Sequence, residues 1–284
     1  MWEPTGPLRG RIVALHGFGD HKGAFEDLGR RLAERGFRVL AFDQRGFGEQ
    51  RDRLFWPGSE ALVGQAREVV ARERERRPDL PLVLLGESMG AAVALLAASG
   101  PGAVPVDGLV LVAPAVWGGD SLPTLYRATM RTLAALVPWL RVSGRGLPVR
   151  PAEDPEIVRA LARDPLYLRE PRADAVAGLL ALMDAAQAAG PMLAVRTLLL
   201  VPGRDDIVPT RVQLAFAETI AAPDCRIVLY PEARHLMLRD RGRDRIWQDL
   251  VAWLEHVSPA FGVARPCRQE RGPPRPTAGD PLGR

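Results

Sequence analysis

Six short apolar runs alternate with longer amphipathic segments over most of this chain. Each run is rich in Val, Ile or Leu, as strands buried on both faces of a parallel sheet require. The runs lie at residues 11–15, 38–42, 82–85, 109–112, 198–201 and 227–230. The segments between them are long enough for helices that cover both faces of such a sheet. The pattern therefore predicts an α/β fold with a doubly wound, mostly parallel sheet.

The alternation stops between residues 115 and 194. This stretch contains no convincing strand, and helices are predicted over 122–140, 155–162 and 173–189. An all-helical insertion of this length is too long for a simple crossover between two strands. We therefore predict a core formed by residues 8–114 and 195–258, with a helical cap at 115–194 laid over one edge of the sheet.

The composition changes again beyond residue 258. Residues 259–284 are rich in Pro, Arg and Gly. Such a segment has too little apolar surface to offset the entropy lost on ordering, so we predict a disordered tail. The whole chain has a net charge of +4. Its basic residues are mixed with acidic ones, and no zinc-ligand pattern or aromatic platform accompanies them, so we expect no nucleic-acid partner.

The sequence was also searched for a secretory signal, a membrane-spanning segment and a metal-ligand pattern. The first residues lack a basic start followed by an apolar run, which argues against a secretory signal. No apolar stretch approaches the roughly 18 residues that cross a bilayer. We therefore expect a soluble, cytoplasmic protein without a transmembrane segment. Cys225 and Cys267 lie in no metal-ligand spacing, so no metal is expected, and nothing in the sequence indicates the oligomeric state.

The strongest chemical motif lies between the third predicted strand and a predicted helix at 91–99. Gly86, Ser88 and Gly90 match G-x-S-x-G. So tight a strand-to-helix turn strains the central residue, and flanking glycines let the backbones pass. The Ser88 hydroxyl would stand at a helix N-terminus, which favours a developing oxyanion. Ser88 is thus the candidate nucleophile; the alternative is a glycine-rich turn with a purely structural role.

A glycine-rich loop follows the first predicted strand. Residues 16–19 read His-Gly-Phe-Gly, and such a loop lets the backbone approach a substrate closely. We predict that the N–H groups of Phe18 and Met89 form an oxyanion hole. Glycines after a strand also commonly make a simple turn, which is the alternative for this loop.

A serine nucleophile needs a base, and the chain has four histidines. His16 belongs to the glycine loop and is expected to be structural, His21 is expected in a loop near the mouth of the site, and His256 falls in a predicted terminal helix. His235 follows the last predicted strand, at the edge where α/β sheets bind ligands. His235 is therefore the candidate base, although most loop histidines have no such role.

The base needs an orienting carboxylate from an earlier strand end. Asp205 and Asp206 both follow the strand at 198–201. The pattern Asp-x-Ile-Val-Pro favours Asp205 and leaves Asp206 pointing outward. The alternative is that both aspartates only cap the helix that starts after Pro209.

Together these segments resemble the α/β-hydrolase superfamily, in its monoacylglycerol lipase and lysophospholipase-like branch, which also contains serine aminopeptidase-like members. The resemblance covers residues 10–257 and includes a second glycine turn at 43–48. It implies the roles assigned above to Ser88, His235 and Asp205, together with the two oxyanion donors. It also implies that no metal or organic cofactor is needed and that the cap shapes an acyl-chain pocket.

Two departures from the family pattern stand out. Glu49 follows the second glycine turn, where a small residue is usual. Members of the family also carry two strands upstream of the first strand predicted here. Either that edge hairpin is missing, or the chain starts further upstream.

The predicted cap suggests a substrate. Its large apolar residues include Trp117, Met130 and Trp139, which would suit a fatty-acyl chain; the alternative is that they pack the cap onto the sheet. Trp139 beside Pro138 would also suit transient contact with a lipid surface. We predict a serine-dependent carboxylic ester hydrolase that acts on a lipid-like acyl ester such as a monoacylglycerol or lysophospholipid. The alternatives are a peptidase or thioesterase of the same fold, or a non-catalytic hydrolase-like binding protein.

Overall fold

A single parallel sheet forms the centre of the protein. The computed structural model describes residues 1–50, 52, 54–118, 121–143, 149–222, 224–257 and, for the backbone, 265–271. Seven strands pair in the order β2-β1-β3-β4-β5-β6-β7, and every neighbouring pair is parallel. The strands are β1 Gly10–Leu15, β2 Phe37–Ala41, β3 Leu82–Glu87, β4 Gly108–Val112, β5 Thr197–Pro202, β6 Asp224–Tyr230 and β7 Arg265–Arg271.

Helices cover both faces of this sheet, so the predicted fold class is confirmed. In the described part of the chain they are α1 Glu26–Ala33, α2 Ser59–Arg76, α3 Met89–Ala97, α4 Thr124–Leu136, α5 Pro155–Arg163, α6 Ala173–Ala189, α7 Thr210–Thr219 and α8 Arg243–Leu254. Successive residues of β3 face opposite layers: Leu82 and Leu84 pack with α2, α3 and α7, whereas Val83 and Leu85 pack with α1 and α8. Burial of both faces explains the continuous apolar runs.

All six predicted strands are present, with bounds that differ by at most three residues. The seventh strand was not predicted. Residues 265–271 pair along the free edge of β6, so the expectation of a disordered tail is wrong for this stretch. Edge pairing satisfies backbone N–H and C=O groups and needs little apolar side-chain surface, which is why composition did not reveal it. The rest of the predicted tail beyond residue 257 lies outside the described residues.

The insertion between β4 and β5 contains helices α4, α5 and α6. Its described residues form no strand, and an isolated bridge joins Arg141 to Arg172. Leu182, Ala186 and Ala189 of α6 are buried in the cluster that contains α3. The insertion is thus anchored to the sheet side of the molecule through α6.

One expectation about the insertion needs correction. Residues 173–192 form a segment that is long and apolar enough, by length and composition alone, to cross a membrane. The prediction that no apolar stretch approaches this length is therefore wrong. Core helices share this composition, because a helix buried on several sides carries few polar residues.

The N-terminus covers part of the free edge of β2. Trp2 forms an isolated antiparallel bridge with Val39, through N–H···O distances of 2.9 and 3.0 Å. The Trp2 indole rests on α1, where a Cβ on Gly29 would lie 2.4 Å from the ring. The backbone N–H and C=O groups of Val39 are therefore paired at this edge.

Candidate active site

Ser88 lies at a strained turn between β3 and α3. Its φ of 55° and ψ of −116° are unfavourable for a residue with a side chain. The turn is tight enough to exclude side chains on both flanks: a Cβ on Gly86 would lie 2.2 Å from the Gly90 carbonyl oxygen, and one on Gly90 would lie 2.1 Å from that of Leu15. The two glycines of the motif are therefore sterically required.

His235 contacts Ser88 from the loop after β6. Its Nε2 lies 2.8 Å from Ser88 Oγ, and its Nδ1 lies 2.8 Å from Asp205 Oδ2. The ring is buried. A carboxylate can only accept, so Nδ1 carries the proton and Nε2 accepts from the Ser88 hydroxyl. The structure thus joins the three side chains that were predicted from separate strand ends.

The two adjacent aspartates point in different directions. Asp205 is buried, and its Oδ1 accepts the N–H groups of Ile207 (2.8 Å) and Val208 (2.9 Å). Asp206 is exposed and pairs with Arg234 at 2.8 Å. Asp205 also orders the turn before α7, but Asp206 does not reach His235. The geometry therefore favours Asp205 as the partner of the histidine.

Sequence reasoning missed Gln213 on α7. This fully buried side chain donates from Nε2 to Asp205 Oδ2 and to the Val208 carbonyl, both at 2.8 Å. It lies between Val212 and Phe216, which are also buried. The available signal was a long polar side chain on the apolar face of a helix, directly after the aspartate turn.

Electrostatics favour proton transfer to His235. Burial lowers the pKa of this imidazole, but the charge and hydrogen bond of Asp205, with a further contribution from Glu87, outweigh that effect. The pKa of His235 is therefore raised above its ordinary value. A raised pKa stabilises the imidazolium that forms when a histidine takes a proton from serine.

The two predicted oxyanion donors lie beside Ser88. Met89 is the first residue of α3, where the N–H has no earlier helical carbonyl to bind. A Cβ on Gly17 would lie 3.4 Å from Ser88 Cβ, which places the glycine loop and Phe18 next to the serine. Neither the Phe18 nor the Met89 N–H has a hydrogen-bond acceptor among the residues that the structure describes. Both groups are thus available to a ligand oxygen.

The other three histidines have different surroundings. His16 is fully buried. Its Nδ1 donates to the Gly17 carbonyl at 2.9 Å, and its Nε2 accepts the Gln44 N–H at 3.0 Å. Burial lowers the pKa of His16, which keeps the imidazole neutral. His21 contacts Asp164 of the insertion at 2.8 Å. His256 is exposed and lies two residues after the end of α8. The structure does not bring any of these three into contact with Ser88 in its described part.

The unusual Glu49 has a partner in Lys22, the only lysine of the chain. Lys22 Nζ bridges Glu49 and Asp43, with 2.9 Å to Asp43 Oδ2. Burial raises the pKa of Asp43, but Lys22 and the N–H groups of Lys22 and Glu49 lower it by more. Glu49 therefore belongs to an ion network that ties the second glycine turn to the segment after the oxyanion loop.

The predicted cap residues divide into two groups. Trp117 packs against the core cluster and Met130 is buried, as expected for residues that hold the insertion in place. Trp139 is 64% exposed, next to Leu136 at 71%. Packing therefore accounts for the first two residues but not for Trp139.

An aromatic group that the sequence did not indicate lies beside the oxyanion loop. The Phe18 ring meets Phe47 edge-on at 5.5 Å between centroids and lies 6.3 Å from Trp56. Trp56 rests on α6 at Gly178, where a Cβ would lie 2.2 Å from the indole nitrogen. These rings form an apolar wall that links the loop to the insertion.

No group of three or more His, Cys, Asp or Glu side chains that could hold a metal ion occurs in the described part of the chain.

A family model described as serine aminopeptidase, S33 (Hydrolase_4) matches residues 6–242. The chain belongs to this family. The predicted membership in the α/β-hydrolase superfamily, in the branch of the monoacylglycerol lipases, is confirmed by this match and by two similar sequences.

Relatives within the branch span nearly the whole chain. The chain is 27% identical over 259 residues to a monoacylglycerol lipase of Mycolicibacterium smegmatis, which covers 89% of this chain and 91% of the relative. It is 28% identical over 276 residues to a human monoglyceride lipase, and this alignment covers 93% of this chain and 88% of the relative. The crystal structure of a Paleococcus ferrophilus monoacylglycerol lipase, at 24% identity, aligns with a TM-score of 0.78 over 90% of this chain and 97% of that one. This last comparison supports the fold.

Proposed function

We propose that this S33-family protein is a serine-dependent carboxylic ester hydrolase that acts on a lipid-like acyl ester, such as a monoacylglycerol or a lysophospholipid. The observation that carries the proposal is the unbroken hydrogen-bond chain from Ser88 Oγ through His235 to Asp205. A non-catalytic binding protein has no need for this buried arrangement beside two unpaired N–H groups.

The first half of the reaction forms an acyl-enzyme. His235 takes the proton of Ser88 while Oγ attacks the ester carbonyl carbon. The carbonyl oxygen becomes an oxyanion and accepts the N–H groups of Phe18 and Met89. The tetrahedral intermediate then collapses, the alcohol leaves with the proton held by His235, and the acyl group remains on Ser88.

The second half releases the acid. A water molecule loses a proton to His235 and attacks the acyl carbonyl carbon, again through an oxyanion held by the same N–H groups. The intermediate breaks at Ser88 Oγ, which recovers its proton from the imidazolium. Asp205 keeps the ring in one orientation throughout, because its Oδ2 accepts the Nδ1–H of His235.

The substrate class rests on the relatives' names and on two apolar features. The relatives are called monoacylglycerol or monoglyceride lipases. The aromatic side chains of Phe18, Phe47 and Trp56 form an apolar wall beside the oxyanion loop, and this wall suits an acyl chain. The exposed face of Leu125, Leu136 and Trp139 suits transient contact with the lipid surface that presents such substrates.

Labelling and a substrate panel test the proposal. A fluorophosphonate probe should label the wild-type protein but not Ser88→Ala, whereas Ser99→Ala, a buried serine at the other end of α3, should be labelled normally. The panel comprises monoacylglycerols, lysophospholipids and p-nitrophenyl esters of increasing chain length, with thioesters and aminoacyl p-nitroanilides for the two competing activities. Preference for medium or long acyl esters supports the proposal. Faster turnover of an anilide or thioester, or no labelling at all, contradicts it.

A further inference from the structure

Three loops that carry the candidate site are joined by a buried charged cluster. Asp20 directly follows the oxyanion loop, Glu87 directly precedes Ser88, and Arg239 lies four residues after His235. Each charge is therefore separated by only a few backbone bonds from one of the groups proposed to act on the substrate. The cluster defined by Asp20, Glu87 and Arg239 is called the charge bridge below.

Arg239 is the centre of the charge bridge. Its Nη2 forms an ion pair with Asp20 Oδ2 and lies 3.9 Å from Glu87 Oε2. The side chains are 16% exposed for Arg239, 4% for Asp20 and 1% for Glu87, so little water screens these contacts. The guanidinium thus hydrogen-bonds to Asp20 and lies near the Glu87 carboxyl group, whose pKa is raised by burial, while its own backbone belongs to the third loop.

Backbone contacts make each connection short and stiff. The Asp20 N–H donates to the Gly17 carbonyl at 3.2 Å, which closes the oxyanion loop. The Arg239 N–H donates to the Leu236 carbonyl at 3.1 Å, which closes the turn after His235. The Arg239 carbonyl is in turn held by Arg243 at 2.9 Å, at the start of α8. Movement of the guanidinium is therefore coupled to both turns.

Stability alone is a weak explanation for such a cluster. Taking charges out of water is expensive, and buried ion pairs replaced by neutral groups of similar volume often leave a protein as stable as before. The carboxylate of Glu87 also has an oxygen, Oε1, without a hydrogen-bond partner among the described residues. The distinctive property of the cluster is its position, since it connects the three loops whose relative placement sets the reaction geometry.

We propose that Arg239 is a positioning residue, which through Asp20 and Glu87 holds the Phe18 N–H, Ser88 and His235 in register. This inference rests on the proposed hydrolase function. Misplacement of reacting groups by about 1 Å lowers rates by roughly 100-fold. Loss of the bridge should therefore lower kcat while leaving most substrate contacts, and so KM, in place.

The test compares three arginine variants on a short p-nitrophenyl ester, after hydrolysis by the wild-type protein has been established. Arg239→Met keeps the chain length without the charge and should lower kcat about 100-fold, with KM changed by less than about threefold. Arg239→Lys keeps the charge on a shorter side chain, so it should recover part of the loss. Arg241→Met, on the same loop but 56% exposed, should match the wild type.

A double variant tests the coupling. Asp20→Asn and Arg239→Met remove the same ion pair, so their combination should have about the kcat of Arg239→Met alone rather than the product of the two losses. Should Arg239→Met fail to fold because two carboxylates are left unpaired, Asp20→Asn/Glu87→Gln/Arg239→Met removes all three charges together. This neutral variant should fold and retain the low kcat.

The outcomes separate the two proposals. A wild-type protein that hydrolyses no panel ester overturns the proposed function itself. If the wild-type protein is active and the kcat of Arg239→Met or of the neutral variant lies within about threefold of the wild-type kcat, the positioning role is overturned. The proposed hydrolase function is then unaffected. Equal losses in Arg239→Met and Arg241→Met would also overturn it.

Discussion

Gln213 donates a hydrogen bond to the same oxygen of Asp205 that accepts the Nδ1–H of His235, at 2.8 Å for each contact. The other oxygen of Asp205 accepts two backbone N–H groups. The carboxylate is therefore held on every side, and only one orientation presents Oδ2 to the imidazole. Gln213 is the only side chain besides His235 shown to donate to this carboxylate in the described part of the chain.

Replacing Gln213 by Leu should lower kcat by roughly 10-fold, because outer partners that orient a catalytic carboxylate or histidine typically have effects of this size. KM should change little, since Gln213 is buried away from solvent. Steady-state kinetics on a p-nitrophenyl ester give both constants. Gln248→Leu, an exposed position on α8, is the matched control, and an equal loss there would contradict the orienting role.

The pH dependence of hydrolysis should reflect the raised pKa of His235. The base must be neutral to accept a proton, so kcat/KM should fall as the pH drops through this pKa, with a midpoint above 6.5, the ordinary histidine value. Asp205→Asn removes the main group that raises the pKa, while Glu87 and Arg239 remain. The acidic limb should therefore move to lower pH, and activity at the plateau should fall by about 10⁴-fold, as for this change in other triads. A limb that stays in place in Asp205→Asn would show that another group controls it.

The exposed face of α4 and the segment after it should affect lipid substrates selectively. Leu136→Glu/Trp139→Ala should reduce hydrolysis of monoacylglycerol in phosphatidylcholine vesicles by about 10-fold, because partial burial of the two side chains in the interface is expected to contribute about 1.4 kcal/mol to binding. Hydrolysis of soluble p-nitrophenyl acetate should be unchanged. Vesicle sedimentation measures the binding directly.

Met192→Ala provides the control for that face. Met192 is 52% exposed and lies beyond α6, where its sulfur is 3.7 Å from a Cβ built on Gly100, near the end of α3 that is remote from Ser88. The Met192→Ala variant should bind vesicles as the wild-type protein does. Equal binding of wild type and the double variant would rule out lipid contact through this face.

Two glycine substitutions should have opposite effects on stability. Gly90→Ala places a Cβ 2.1 Å from the Leu15 carbonyl oxygen, a backbone atom that cannot move without shifting β1. It should lower the free energy of unfolding and reduce labelling of Ser88. Gly64→Ala, in the middle of α2, meets no atom within 4 Å and should raise the free energy of unfolding by up to about 1 kcal/mol. Urea unfolding measures both; no destabilisation by Gly90→Ala would contradict the steric account of the motif.

Local features of the chain were readable without a structure because their causes are local. Buried strands need continuous apolar runs, so β1 to β6 were visible as such. A strand, a tight glycine-flanked turn and a helix follow one another directly at Ser88, so its steric requirement was also visible. Asp205 and His235 were predicted from their places after strand ends, and the structure brings both to Ser88.

Features that depend on distant contacts were not readable. Burial of Gln213 and the charge bridge around Arg239 arise only when α7 and the loop after β6 meet other strand ends. The pairing of β7 likewise depends on the free edge of β6, not on its own composition.

The sequence by itself therefore determined the alternation of strands and helices, the strained serine turn and the residue types that chemistry requires. The tertiary structure alone decided which polar side chains share an oxygen of Asp205 and which charge joins the three loops. The physical reason is that hydrogen bonds and ion pairs act over a few ångströms in space, between residues as far apart in sequence as Asp20 and Arg239, whereas steric and hydrophobic periodicity act along the chain.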